Sequence, residues 1–239
     1  MSVRVLLRTF SELCLTVGTV IVLFVVYVMF WTGVKADRAM EQQIDRLQDK
    51  WASGSLTAGT DDKVGGTRGD GGGAAAPPRP APYEDGEPFA VMYVPRFGFT
   101  WNKPVLQGTA TGTLKKGLGH YARTAQLGQR GNFAVAGHRR TYGDPFKDFP
   151  ELRRGDAVVL TDGTTWFTYR ITRKPYKTLP TDTGVIDPVP RKSGFRKPGR
   201  YLTLTTCEPE WGHSHRLIAW AHLDATQPVE AGKPKALRR

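Results

Sequence analysis

The sequence predicts an all-β barrel or sandwich standing behind a membrane-spanning helix. Three observations carry that reading. From Phe89 to about Thr226, short apolar and β-branched runs alternate with Gly, Pro and Asp turns, the rhythm of an all-β domain. Upstream, residues 13–34 are almost wholly apolar, and about 20 such residues cross a hydrocarbon core. Between the two, residues 53–88 are dominated by Gly, Ala, Thr, Asp and Pro and lack the apolar side chains that would offset the entropy of ordering.

Residues 1–12, with Arg4 and Arg8, read as a short cytoplasmic tail. The span itself, LCLTVGTVIVLFVVYVMFW from Leu13 to Trp31, contains no charged residue and continues through Val34. A cleavable signal peptide has an apolar region of about 7–15 residues ending at a small-residue site. This run is longer and VKADRAM is a poor cleavage site, so an uncleaved signal anchor is expected. Arg4 and Arg8 precede the span while Lys35 and Arg38 follow it closely, so the Lys/Arg count does not choose an orientation. A short tail inside and a large domain outside is the simpler arrangement.

Residues 35–52 place Met40, Ile44, Leu47 and Trp51 at helical spacing, the pattern of a helix that continues past the membrane as a solvated juxtamembrane stalk. The segment 53–88 then acts as a flexible tether with a stiffer proline-rich end.

In the domain, residues 89–226, candidate strands are Ala90 to Val94, Pro104 to Leu106, Phe133 to Gly137, Ala157 to Thr161, Trp166 to Arg173, Tyr201 to Thr206 and Leu217 to Leu223. Helices are short, around Thr113 and from Phe146 to Leu152. A domain of this size buries a core without disulfides. Residues 227–239, with Lys233, Lys235, Arg238 and Arg239, are expected to form a basic disordered tail.

Charge is divided unevenly: residues 1–88 carry net −2 and residues 89–239 net +14. A basic domain suits nucleic acid, an anionic membrane face or an anionic cell wall, and composition does not choose among them. Of the two cysteines, Cys14 lies in the apolar span and Cys207 far downstream, which excludes a disulfide framework. On an exported domain Cys207 is then an unpaired thiol in an oxidising place.

Cys207 closes YLTLTTC, whose alternation reads as a strand with one buried face. Glu208 to Gly212 follow as a loop, since Pro209 cannot continue a ladder and Gly212 marks a turn. A lone cysteine is commonly only a small buried hydrophobe. Here, however, FAVAGHR also ends a strand at His138, and Arg216 opens the apolar run RLIAWAHL. A cysteine and a histidine distant in sequence form a nucleophile and proton-transfer pair when the fold joins them. Nearby cations lower a thiol's pKa, and a fixed guanidinium can clamp a carbonyl and its oxyanion, a contact commonly worth about 3–4 kcal/mol.

TLTTC at Thr203 to Cys207 resembles the TLxTC signature of sortases, the membrane-anchored cysteine transpeptidases of Gram-positive bacteria. FAVAGHR resembles their histidine segment and Arg216 their active-site arginine. GHY at Gly119 to Tyr121, GN at Gly131 and Asn132, and TYGDPF at Thr141 to Phe146 are similar to the class E branch of actinobacteria. The resemblance covers roughly Phe89 to Ala225. It implies a closed eight-stranded β-barrel, with Cys207 as nucleophile, His138 as general acid and base, and Arg216 as substrate and oxyanion clamp. Tyr121 matches a substrate-recognition position, and Thr205 and Thr206 read as groove-lining or strand-supporting residues.

The same resemblance implies the partners. They are a secreted protein with a C-terminal LAxTG or LPxTG sorting signal, cleaved between Thr and Gly, and an amine on a peptidoglycan precursor. It implies a single-pass protein of the cell membrane with an extracellular catalytic domain, and neither cofactor, metal nor nucleic acid. Three other readings compete. His213, His215 and His222 with Cys207 offer nitrogen and sulfur ligands for zinc, without a familiar zinc spacing. The +14 charge fits a membrane-tethered polyanion binder. A plain cysteine protease would share the acyl-enzyme but end in water, though the papain-type signature is absent.

Overall fold

The structure, a computed structural model, describes residues 3–53 and 81–238. Most of the expected tether, 53–88, lies outside the described residues. Its last residues are packed rather than free: the Tyr83 ring stacks on Phe89 at 3.7 Å, and the first strand already starts at Pro88.

A single helix, α1 (Val3–Ala52), replaces the separate tail, span and stalk. Its 50 residues extend for about 75 Å. The stretch Val3–Tyr27, of mean hydropathy 2.1, is long and apolar enough to cross a membrane. The juxtamembrane part is not a solvated stalk. Ala36, Met40 and Leu47 are buried, Asp37 pairs with Lys103 at 3.2 Å and Lys50 with Glu87 at 3.3 Å. The apolar stripe finds its partner on the domain itself, where removing a Met or Leu side chain from water contributes about 1.5–3 kcal/mol.

Among the described residues nine strands follow: β1 (Pro88–Tyr93), β2 (Asn102–Gln107), β3 (Leu118–His120), β4 (Gly131–Ala136), β5 (Ala157–Thr161), β6 (Thr165–Ile171), β7 (Tyr176–Thr178), β8 (Arg200–Glu208) and β9 (His215–Pro228). Eight of them close a barrel in the order β6-β5-β1-β2-β3-β4-β8-β9, with β9 returning to β6. The ninth, β7, lies beside the first half of β9, with Tyr176 opposite Ile218. The register shift between Thr168 and Tyr169 against β9 is a bulge that bends the long strand so that it can serve both neighbours.

Period-two alternation sorts the residues of β8 and β9. Leu202, Leu204, Leu217, Ala219 and Ala221 enter the barrel core with Phe133, Phe146, Phe149 and Tyr169. Ile218 and Trp220 face outward, under a short helical turn at Thr183–Ile186 that contributes Val185. By the same alternation Thr205, Cys207 and Arg216 belong to the outer face.

The helical segments match in place: α2 (Thr111–Leu114) and a 3₁₀ turn at Phe149–Glu151. The expected disordered tail is a correction. Beyond β9, Val229–Ala231 and Lys235–Leu237 form 3₁₀ turns, and Val229, Ala236 and Leu237 pack against Ala157, Val159 and Trp166. The few apolar residues among the lysines and arginines cover this outer patch, and their burial outweighs the charge.

Candidate active site

Strand register brings the three sequence candidates together. β8 lies between β4, its parallel neighbour, and β9, its antiparallel one. Ala136 is level with Thr205, and the Gly137 N–H donates to the Thr205 carbonyl at 3.1 Å. His138, two residues beyond Ala136, therefore arrives beside Cys207, two beyond Thr205. On the other flank Arg216 is the direct register partner of Cys207.

His138 and Cys207 line one cleft of about 220 Å³, with Arg139, Arg140, Thr141, Glu210, Trp211, Gly212 and His213. The thiol is half-buried and unpaired. His138 Nε2 is buried without a hydrogen-bond partner among the described residues. Burial, and secondarily the charge of Lys115, hold the imidazole below the usual histidine range, so it is neutral at pH 7. Arg216 Nη1 donates to the carbonyls of His213 at 3.0 Å and His215 at 2.9 Å, which fixes the base of its fork at the start of β9.

A second cleft of about 110 Å³ runs along the same outer face, and Arg216, Thr205 and Tyr121 line it with Leu179, Val185, Ile186 and Ile218. Thr205 and Ile218 stand two residues, about 7 Å, below Cys207 and Arg216. The Tyr121 hydroxyl meets Thr205 Oγ1 at 3.0 Å. Thr206 is placed differently: its hydroxyl donates to the Gly137 carbonyl at 2.8 Å, tying β8 to the residue before His138, and it lines neither cleft.

Sequence reasoning missed the charge pairs that join these two strand ends. Arg139 pairs with Glu208, and Arg140 with Glu210 at 3.2 Å and with Asp144 at 3.4 Å. The Arg140 guanidinium also lies 4.5 Å from the Trp211 ring. The signal was present as HRR following β4 and CEPE closing β8, two motifs of opposite charge. The β7 to Ile186 segment, which walls the second cleft, carried no comparable signal.

The histidines of the alternative zinc reading are spread out. His215 opens β9 opposite Glu208, while His222 stands opposite Tyr201, seven residues or about 23 Å along the strand. Among the described residues no group of three or more His, Cys, Asp or Glu side chains could hold a metal ion.

The sequence profile of the sortase domain matches residues 92–224. The chain belongs to the sortase family. Sortase SrtE1 of Streptomyces coelicolor is 35% identical over 237 residues, a match spanning 96% of this chain and 60% of SrtE1. Sortase SrtE2 of the same organism is 32% identical, spanning 95% of this chain and 87% of SrtE2. Among solved structures, sortase E from Streptomyces avermitilis is 79% identical, with a TM-score of 0.63 over 65% of this chain and all of the other. Sortase E1 from S. coelicolor, solved with a tripeptide in its active site, is 36% identical with a TM-score of 0.60, over 64% of this chain and 98% of the other. These relatives place this sortase with class E, and the eight-stranded barrel is that of the family.

Proposed function

We propose that this sortase is a single-pass protein of the cell membrane whose extracellular barrel cleaves a C-terminal LAxTG- or LPxTG-type sorting signal between Thr and Gly and transfers the acyl group to a peptidoglycan-precursor amine. The observation that carries the reading is Cys207 flanked in register by Arg216 on β9 and sharing a cleft with His138.

The chemistry follows from that arrangement. Neutral His138 accepts the Cys207 proton as the sulfur attacks the Thr carbonyl carbon, while Arg216 faces the developing oxyanion. The C–N bond then breaks, and His138 delivers the same proton to the departing Gly amine. A thioester remains. The incoming wall amine attacks it, loses a proton to His138, and the proton returns to the sulfur as the C–S bond breaks. Since one imidazole serves both amines, the leaving and entering groups use the same side of Cys207. Peptide N-terminal to the cleaved bond is assigned to the second cleft, with Tyr121 and Thr205 as contacts.

The test is to incubate the full chain in detergent micelles with matched LAxTG and LPxTG peptides and amine acceptors, and to identify products by mass. Cleavage after Thr with amine-capped product is expected, and Cys207→Ala removes it. Cleavage that survives Cys207→Ala, or none of either peptide, overturns the reading.

A further inference from the structure

The loop that follows His138 has an unusual backbone. Thr141, Tyr142, Gly143 and Asp144 all have positive φ, at 74°, 50°, 79° and 47°. Non-glycine residues adopt this region singly and at a cost, so a run of four is held by its surroundings. Within the loop, Asp144 Oδ1 accepts the Thr141 N–H at 2.6 Å. From outside, it is held by the juxtamembrane helix. A Cβ placed on Gly143 would stand 2.3 Å from Met40 Cε, 2.8 Å from Asp37 Oδ1 and 3.6 Å from Ala36 Cβ, and Ala36 and Met40 are both buried there. The φ of 79° at Gly143 favours glycine, and a Cβ there would push against the Met40 and Asp37 side-chain ends of α1.

What the loop carries at that point is Tyr142. Its ring lies 5.1 Å from the His138 ring, tilted by 39°, and Lys115 Nζ sits 5.2 Å from the Tyr142 centroid. The backbone of His138 is already fixed by the core: its carbonyl accepts from the Phe146 N–H at 3.0 Å, and Gly137 is pressed so close to Phe146 that a Cβ would stand 2.6 Å from its ring. Among the described residues His138 Nε2 has no hydrogen-bond partner. The Tyr142 ring is the aromatic neighbour packed beside the imidazole.

We propose that Tyr142 is a positioning residue for His138, held in place by the Ala36–Met40 face of α1 through Gly143. The proposal rests on the reading that His138 is the proton carrier. It makes the helix that emerges from the membrane part of the active-site support, so that anchoring and proton transfer are linked through two contacts, α1 on Gly143 and Tyr142 on His138.

The test uses the full chain in detergent micelles, with sorting-peptide cleavage and the His138 imidazole titration followed by NMR. Tyr142→Ala is expected to lower kcat about tenfold with KM unchanged, a loss within the range for small misplacements of a reacting group. Tyr142→Phe, which keeps the ring, returns kcat to within about twofold. Met40→Ala, which removes the α1 side chain packed behind Gly143, lowers kcat in the same direction. In Tyr142→Ala the His138 titration moves upward, as its cover is lost. Wild-type kcat and an unmoved His138 titration in Tyr142→Ala would overturn the positioning role, and wild-type kcat in Met40→Ala would overturn the helix's part in it. If the wild type itself shows no Cys207-dependent cleavage, the transpeptidase reading fails, and the His138 titration still decides the positioning.

Discussion

The two flanks of Cys207 are built in different ways. On the Arg216 side, β8 and β9 pair from Tyr201 opposite His222 to Glu208 opposite His215 without a break, so the arginine's place is set by ladder hydrogen bonds. On the His138 side, β4 ends at Ala136; backbone bonds from the Gly137 N–H to the Thr205 carbonyl and from the Phe146 N–H to the His138 carbonyl fix the main chain, and the rest is side-chain contact: the Arg139–Glu208 pair, the Thr206 hydroxyl on Gly137 and the Tyr142 ring. A ladder cannot slip by one residue without turning every side chain to the other face. Loop contacts are separable and individually weaker. The cation of the site is thus fixed by the barrel, and its proton carrier by side chains that substitution can loosen one at a time.

Substitutions on the two flanks should therefore fail in different ways. Arg216→Ala is expected to cost about 10²–10³ in kcat, the usual loss of an oxyanion donor, without lowering stability, since the ladder remains. Arg216→Lys should recover little, because an ammonium does not reproduce the fork. Steady-state kinetics beside urea unfolding separate the two effects, and a stability loss with normal kcat would remove the distinction between the flanks. Glu208→Gln acts on the other side. It leaves Arg139, which is 9% exposed, without its charge partner, and should reduce unfolding free energy by about 2 kcal/mol, below the ~3–5 kcal/mol for a fully buried pair.

A third expectation concerns His120, buried on β3 against the rings of Phe89 and Phe133. Burial lowers its pKa to about 4, against the opposing effect of the hydrogen bond that Nε2–H donates to the Ala125 carbonyl. The folded protein therefore binds the proton less readily than the unfolded chain. Its contribution to stability is fully present above pH 6.5 and is lost as pH falls toward 4, with about 2 kcal/mol gone between pH 7 and 5. Urea unfolding at the two pH values, in the wild type and in His120→Gln, should show the slope in the first and its flattening in the second. An equal slope in both would assign the acid sensitivity elsewhere.

The same contrast explains what was legible in the sequence. β8 and β9 announce themselves because alternation over nine and fourteen residues is a long, regular signal. Cys207, His138 and Arg216 stand at the ends of such strands. β3 and β7 are three residues each, too short for any period to register, and they exist because longer neighbours template them. The docking of Met40 and Leu47 was half visible: the stripe is evident, but a stripe does not name what it packs against. The ordered tail was hidden by its lysines and arginines, which drew attention from Val229, Ala236 and Leu237. The loop from Thr141 to Asp144 was recognisable as a motif, while its left-handed backbone depends on α1, some hundred residues upstream, which no local pattern could specify.

The measurement that most directly tests the central claim is the intact mass of the full chain after brief exposure to a sorting peptide, followed by peptide mapping. The expected result is an added mass equal to the peptide acid truncated after Thr less one water, located on Cys207 and released by an amine. An adduct on another residue, or an unmodified Cys207 while peptide is being cleaved, would contradict it.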